Sequence, residues 1–234
     1  MSVYVISDLH LSFKVNKPMG IFKGWENHTE RLAAAWNRLV SENDTVILVG
    51  DTSWALKIED AREDFAFIDA LPGKKLILKG NHDYWWSTAS KIKAFFKENN
   101  FSTIDILFNN SYIFDEVALC GSRGWIYDGS GEEDEKIIKR ECGRLELSLK
   151  SAIKAAEEKN INLKEIIVFL HYPPVYREYV CKPIIDILKK YEIKKIYYGH
   201  IHGSGKNYTV SEYDGIKMQL ISCDCIDFTP LFVL

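Results

Sequence analysis

The chain has 234 residues, a length that suits one large domain with a substantial core. Apolar residues make up 47% and charged residues 27%, as in an ordinary soluble globular protein. The formal net charge of −3 predicts no general attraction to nucleic acid or to an acidic membrane, and no apolar run approaches the ~20 residues that span a bilayer.

The first residues and the cysteines indicate the compartment. The chain starts with a strand-like run at 3–6, without a basic segment or a cleavage site of the secretory type. Its five cysteines form an odd and unpatterned set, which favours reduced thiols in a cytoplasmic protein. Cys223 and Cys225 have the spacing of a metal pair, but their apolar surroundings favour two thiols at a strand end.

Apolar β-prone runs alternate with helical patterns along the chain. Strands are predicted at 3–7, 45–49, 75–78, 117–120, 166–170 and 195–198, and helices at 29–40, 58–71, 87–99, 132–159 and 182–191. Two further strands, 208–211 and 216–221, flank a turn at Asp214-Gly215. The expected organisation is a single domain over 1–234, with a helical insertion at about 121–160.

The strand pattern predicts the fold class. Near-continuous apolar strands that alternate with helices are typical of sheets covered on both faces, and the late hairpin adds antiparallel strands. We therefore expect an α/β protein with two packed, mixed β-sheets flanked by helices, an αββα sandwich.

Polar residues follow the predicted strands. Singly, each has a structural explanation: a lone histidine is often a satisfied structural residue, and Asp51 after Gly50 can cap a turn. Since the carboxyl ends of strands in such sheets converge, however, the set is expected to meet in space. Its oxygen and nitrogen donors suit Mn, Fe, Co or Zn better than calcium. The set comprises Asp8, His10, Asp51, Asn81, His82, His171, His200 and His202.

The stretch Gly80-Asn81-His82-Asp83 lies where a predicted strand turns into a helix. Three successive polar side chains match neither strand nor helix periodicity, so core packing does not explain them. One interpretation is a polar turn in which Asn81 or Asp83 caps the next helix. The other is a functional loop.

The ordered polar motifs resemble those of the calcineurin-like metallophosphoesterases, and the chain length is similar to that of small bacterial phosphohydrolases. The resemblance implies two divalent ions bridged by Asp51. Asp8, His10 and His202 would complete one site, and Asn81, His171 and His200 the other. The five motifs are Asp8-Leu9-His10, Gly50-Asp51, Gly80-Asn81-His82-Asp83, His171 and Gly199-His200-Ile201-His202.

The implied reaction is hydrolysis of a phosphomonoester or phosphodiester by a metal-bridging hydroxide, with a small phosphorylated substrate. In this interpretation His82 faces the substrate, and Asp83 orients and charges His82. A nuclease of the same superfamily is the alternative enzyme, although the net charge of −3 argues against a nucleic-acid groove. A binding scaffold without catalysis is the other alternative, yet no ligand of the motif set is missing.

Residues beside the motifs bear on the substrate. Gly50-Asp51 is followed by Thr52-Ser53-Trp54 and not by the Asp-Arg-Gly run of the Ser/Thr protein phosphatases, which argues against that activity. An aromatic wall is one interpretation of the nearby aromatic residues, and burial of some of them in the core is the other. These are Trp54, Tyr84, Trp85 and Trp86.

The predicted insertion carries an apolar stripe and a row of like charges. Lys136, Arg140 and Arg144 stand four residues apart, so the row is either neutralised by Glu132, Glu141 and their neighbours or used to bind an anion. In the second case Arg140 or Arg144 meets a substrate phosphate, which the planar guanidinium can bind through two hydrogen bonds.

Overall fold

The computed structural model describes residues 1–126 and 132–234, and of residues 132 and 133 the backbone alone. The chain divides into two compact units: unit one comprises residues 1–106 and 221–234, and unit two comprises residues 107–220. The single domain over 1–234 stays a prediction. Of the predicted insertion at about 121–160, residues 127–131 lie outside the described residues.

The strands and helices are numbered in chain order. The strands are β1 (Val3–Ile6), β2 (Thr45–Leu48), β3 (Lys74–Ile77), β4 (Ile104–Ile106), β5 (Ser111–Phe114), β6 (Val117–Ser122), β7 (Glu165–Leu170), β8 (Val175–Tyr176), β9 (Tyr179–Val180), β10 (Lys195–Tyr198), β11 (Glu212–Tyr213), β12 (Ile216–Leu220) and β13 (Leu231–Phe232). The helices are α1 (His28–Leu39), α2 (Arg62–Ala70), α3 (Ala89–Glu98), α4 (Glu132–Glu158) and α5 (Lys182–Lys190).

Unit one contains a five-stranded sheet in the order β13-β1-β2-β3-β4. Strands β1 to β4 are parallel, and β13 pairs antiparallel with β1. Helices α1, α2 and α3 connect the parallel strands in turn. Because these strands run in one direction, the loops after β1, β2 and β3 leave the sheet at the same edge.

Unit two contains a six-stranded sheet in the order β11-β12-β10-β7-β6-β5. The four central strands are parallel, and β5 and β11 are antiparallel to their neighbours. Helix α4 connects β6 to β7, and α5 lies between the small β8–β9 hairpin and β10. The predicted α/β class, with two mixed sheets flanked by helices, is confirmed.

Apolar periodicity accounts for the long helix α4. The predicted stripe is buried at Ile138, Leu145, Leu149, Ala152 and Ala156, and the first four of these residues pack in the core of unit two. Full burial of a leucine side chain contributes about 1.5–3 kcal/mol relative to exposure, so this one face stabilises the helix far more than propensity does.

Two details differ from the sequence predictions. The predicted strand at 208–211 is wrong: a 3₁₀ helix covers Gly203–Tyr208, and the strand that pairs antiparallel with β12 is Glu212–Tyr213. Helix α1 begins at His28, one residue before the predicted start at 29, and follows a left-handed Asn27. None of the described helices is long and apolar enough to cross a membrane. The cytoplasmic location stays a prediction.

Candidate functional site

In unit one, three loops at the carboxyl edge of the sheet carry the predicted polar residues. Asp8 and His10 follow β1, Asp51 follows β2, and the Gly80–Asp83 turn follows β3. Backbone hydrogen bonds join the first two loops: the N–H of Asp8 donates to the carbonyl of Gly50 at 3.0 Å, and that of His10 to the carbonyl of Asp51 at 2.9 Å. The two loops are therefore held in register.

Three of the predicted ligands in unit one adopt a left-handed backbone conformation. The φ angles are 61° at Asp8, 48° at His10 and 50° at Asp51. Aspartate and histidine tolerate this region better than most residues, but it is still sparsely populated. Such conformations persist only where surrounding contacts impose them, and they concentrate at functional sites.

The Asp8 carboxylate is completely buried and has partners from the end of the chain. The hydroxyl of Ser222 donates to Asp8 Oδ2 at 3.0 Å, and the thiol of Cys223 donates to the Asp8 carbonyl at 2.9 Å. Burial raises the pKa of the Cys223 thiol well above its ordinary value, so the sulfur stays a donor. The sequence analysis missed Ser222, although it follows an apolar strand as Asp8 does.

Asp51 is buried and is approached from both neighbouring loops. Its Oδ1 accepts a hydrogen bond from the backbone N–H of His82 at 2.8 Å, and its Oδ2 lies 3.9 Å from His10 Nε2. Gly80 explains the close approach, because a Cβ atom there would lie 2.0 Å from Asp51 Oδ1 and 2.2 Å from Asp51 N. The half-buried Asn81 lies in the same turn, between Gly80 and His82.

The hydrogen bonds of Asp83 fix the backbone of its own turn and of the Asp51 loop, and its predicted orientation of His82 stays a prediction. Its fully buried carboxylate accepts hydrogen bonds from five donors, and none of the five belongs to His82. Burial raises the pKa of Asp83, and the donors oppose that effect. The side chain thus fixes the backbone of the Asp51 loop. The donors are the N–H groups of Gly80, Asp51, Thr52 and Ser53 and the indole of Trp85.

Another buried carboxylate, that of Asp64, supports the loops after β1 and β2. The sequence analysis missed this residue. It accepts hydrogen bonds from the Ser53 hydroxyl and from the backbone N–H of Phe13. Burial raises the pKa of Asp64, and these two donors oppose the rise. Asp64 lies inside helix α2, where an acidic residue resembles any solvent-facing charge, so no pattern distinguished it.

The predicted aromatic wall is divided between the site and the core. Trp54 stacks on His10 with ring centroids 4.8 Å apart, and its ring lies 4.4 Å from that of His82. Tyr84 is exposed beside His82, at 6.0 Å. Trp85 instead is buried and packs against Phe65. Trp54 and Tyr84 therefore contact the His82 ring.

In unit two, histidines follow neighbouring parallel strands. His171 follows β7 and is completely buried, and His200 follows β10 with a φ angle of 69°. Their ring centroids lie 5.3 Å apart, and the ring of Tyr172 lies 4.2 Å from His200. The half-buried His202 comes two residues later, directly before the 3₁₀ helix.

The structure pairs the predicted arginines with Glu141. Arg140 Nε lies 3.5 Å and Arg144 NH1 2.7 Å from Glu141 Oε1. Arg123, which follows β6 at the same edge as His171 and His200, approaches the same oxygen at 3.4 Å. Arg123 was missed in the sequence analysis, although its position after a strand could have indicated it. Glu141 therefore neutralises part of the row, and the side chain of Glu132 lies outside the described residues.

The family model of the calcineurin-like phosphoesterases matches residues 1–204. The chain belongs to this family. The resemblance inferred from the five motifs is thereby confirmed, and the predicted enzyme class, a metal-dependent phosphoesterase, agrees with it.

One curated relative, the gene 66 protein of Mycobacterium phage L5, is 31% identical over 83 residues. That match covers 35% of this chain and 40% of the phage protein. The chain thus aligns with less than half of that relative.

Solved structures share the fold at low identity. The phosphopantetheinyl hydrolase PptH of Mycobacterium tuberculosis has a TM-score of 0.52 and 13% identity, with 100% of this chain and 95% of that chain covered. TT1561 of Thermus thermophilus has a TM-score of 0.53 and 12% identity over 99% and 97% of the chains. The protein AQ665 of Aquifex aeolicus, of unknown function, has a TM-score of 0.50 and 18% identity over 99% and 95%.

Proposed function

We propose that this calcineurin-like phosphoesterase uses two divalent transition-metal ions to hydrolyse a phosphomonoester or a phosphodiester. The observation that carries the proposal is the buried, left-handed arrangement of Asp8, His10 and Asp51 on joined loops at one sheet edge. Folding also buries the carboxylates of Asp8 and Asp51, and bound cations would offset the free-energy cost of that burial.

The donor set fits such ions. Buried aspartate oxygens and imidazole nitrogens are typical ligands of Mn, Fe, Co and Zn. We assign Asp8, His10 and His202 to one ion and Asn81, His171 and His200 to the other, with Asp51 as the bridge. The family match over residues 1–204 supports this assignment, and so does the geometry within each unit: the loops of Asp8 and Asp51 are joined by hydrogen bonds, and the rings of His171 and His200 lie 5.3 Å apart.

The bound ions would supply Lewis acidity for the phosphoryl oxygens and would activate water at neutral pH. The chain's own residues supply the rest. The backbone N–H of His82 holds Asp51 Oδ1 in place, and the Trp54 ring supports both His10 and His82. In this proposal His82 protonates the leaving oxygen or stabilises the phosphoryl charge, and it is not a ligand.

The substitution Asp51→Asn tests the proposal. It should remove at least one ion and nearly all hydrolysis while the chain stays folded, because the amide carries no negative charge to hold two cations. Metal content and turnover of a general phosphoester, with manganese supplied, are the measurements. Asp227→Asn is the matched control, since that carboxylate is 86% exposed. Two ions retained with normal turnover in Asp51→Asn would contradict the assignment.

A screen over monoesters, diesters, cyclic nucleotides and pyrophosphates with each of the four metals would then identify the preferred ester and ion. We expect a small phosphorylated substrate.

A further inference from the structure

Three arginines of unit two converge on one buried carboxylate, in a group that we call the arginine cluster: Arg123, Arg140 and Arg144 around Glu141. All three approach the same oxygen, Oε1, at 3.4, 3.5 and 2.7 Å. The Glu141 side chain is completely buried, whereas the side chain of Arg140 is 53% exposed and that of Arg144 27% exposed. The carboxylate of the cluster is therefore buried, whereas the guanidinium groups of Arg140 and Arg144 are accessible from solvent.

The cluster carries more positive charge than its carboxylate balances. Three guanidinium groups against one carboxylate leave a surplus of two positive charges. Burial lowers the pKa of Arg123, and the neighbouring charges of Arg140 and Arg144 add to that lowering against the attraction of Glu141. Among the described residues, the buried Nε of Arg123 has no hydrogen-bond partner. Each guanidinium offers five N–H donors and contacts Glu141 through one nitrogen, so donors remain for an anion.

One aromatic ring separates the cluster from the histidines of the same unit. The Arg123 guanidinium lies 6.0 Å from the centroid of the Tyr172 ring and 4.9 Å from that of Trp125. The Tyr172 ring in turn lies 4.2 Å from that of His200 and 5.3 Å from that of His171. A ligand held by His171 and His200 thus has the arginine cluster as its neighbour beyond Tyr172.

We propose that the arginine cluster binds a second phosphate group of the substrate, several atoms away from the phosphate that is cleaved. This inference rests on the proposed function and narrows its substrate class to molecules with two phosphate groups. Guanidinium groups suit this role because their planar forks match phosphate oxygens through paired hydrogen bonds. The exposed face of Arg140 and Arg144 gives the second phosphate access from solvent.

Binding is tested by titration calorimetry of the manganese-loaded protein with fructose 1,6-bisphosphate and with fructose 6-phosphate. The wild type should bind the bisphosphate at least about tenfold more tightly, the effect of one or more hydrogen bonds to a charged group. Arg140→Gln and Arg144→Gln should each reduce that preference about tenfold. Lys154→Gln is the matched control, an exposed cation on the same helix that pairs with Glu158, and it should keep the preference.

Glu141→Gln separates anion binding from a purely structural role. Removal of the negative charge leaves a surplus of three positive charges, so the bisphosphate should bind more tightly. If the cluster only anchors α4, this variant lowers stability and leaves the preference as in the wild type. If Glu141→Gln fails to fold, the Arg140→Gln variant decides between anion binding and a structural role, because the Arg140 side chain is half-exposed.

Two outcomes would overturn the inference: equal affinity of the wild type for the two sugar phosphates, or a preference that survives in both arginine variants. A protein that shows the preference but hydrolyses no phosphoester would contradict the proposed function and leave the cluster intact, because binding and turnover are measured separately.

Discussion

At the scale of single residues, the Asp83 carboxylate organises the site in unit one. Its Oδ2 accepts hydrogen bonds from the N–H groups of Gly80 and Asp51, and its Oδ1 accepts three more. One side chain thus ties the loop after β3 to the loop after β2. Asp83 is a positioning residue, because it acts on the candidate bridge Asp51 through the backbone.

Asp83→Asn should destabilise the protein by about 2–4 kcal/mol and weaken manganese binding. In either orientation, the new amide NH₂ group faces at least two N–H donors, so those donors lose their acceptor and the NH₂ group finds none. Urea unfolding and metal titration are the measurements. Asp60→Asn is the control, since that carboxylate is partly exposed and binds only Lys14. Equal stability of the two variants would contradict the positioning role.

His82→Ala should retain the metals and lose about 10²–10⁴-fold in turnover of a diester with a poor leaving group. A nitrophenyl ester should lose less, since nitrophenolate leaves without protonation. The comparison of the two esters at constant metal content is the measurement. Equal losses would favour phosphate positioning, and loss of metal would show that His82 is a ligand.

At the scale of elements, periodicity and strand ends predicted most of what positions the site. The parallel strands, the apolar face of α4 and the polar residues after β1, β2, β3, β7 and β10 all follow from local pattern. Short elements were missed: β4 and β13 have three and two residues, too few for a period to appear. Ser222 and Arg123 follow strands as well, but they were missed because serine and arginine are not the residue types that indicate a metal site.

The turn after β3 allows a matched glycine experiment. Gly80→Ala should displace the Asp51 loop and reduce metal binding at least tenfold, because the new Cβ would lie 2.0 Å from Asp51 Oδ1. Gly143→Ala, on the exposed face of α4 with nothing within 4 Å, should instead raise stability by about 0.5–1 kcal/mol through helix propensity. Metal titration measures the effect of Gly80→Ala, and thermal unfolding measures that of Gly143→Ala. A Gly80→Ala protein with normal metal affinity would show that the loops are not tightly coupled.

At the scale of the whole molecule, a buried lysine makes stability depend on pH. Lys75 on β3 is completely buried and donates to the carbonyls of Asp69 and Leu71. Burial lowers its pKa from 10.5 to about 8, against the attraction of Asp69 and Glu42. Between these two pH values the unfolded chain holds more protons on this residue than the folded chain. Its contribution to stability therefore rises with pH from about 8 to 10.5.

The difference in unfolding free energy between Lys75→Met and the wild type isolates this effect. The variant should gain the most unfolding free energy relative to the wild type below pH 8, because there the wild type buries a charged lysine. The gain should shrink by about 2–3 kcal/mol toward pH 10.5. The hydrogen bonds lost in the variant change this difference in unfolding free energy by the same amount at every pH. The other ionising groups are common to both proteins, so their effects cancel in the difference. Urea unfolding from pH 7 to 10 is the measurement, with the exposed Lys74→Met as control. A difference that does not vary with pH would contradict the lowered pKa.

Unit one is built from two separate segments, residues 1–106 and 221–234, and this has a consequence for biosynthesis. Ser222, the hydroxyl partner of Asp8, follows it by 214 positions, and β13 pairs with β1. On the ribosome, every residue of unit two is made before residues 221–234 appear. A nascent chain can therefore complete the sheet of unit two while β1 still has an unpaired edge, which is a template for wrong pairing. The environment of Asp8 is therefore completed only after all of unit two has been translated.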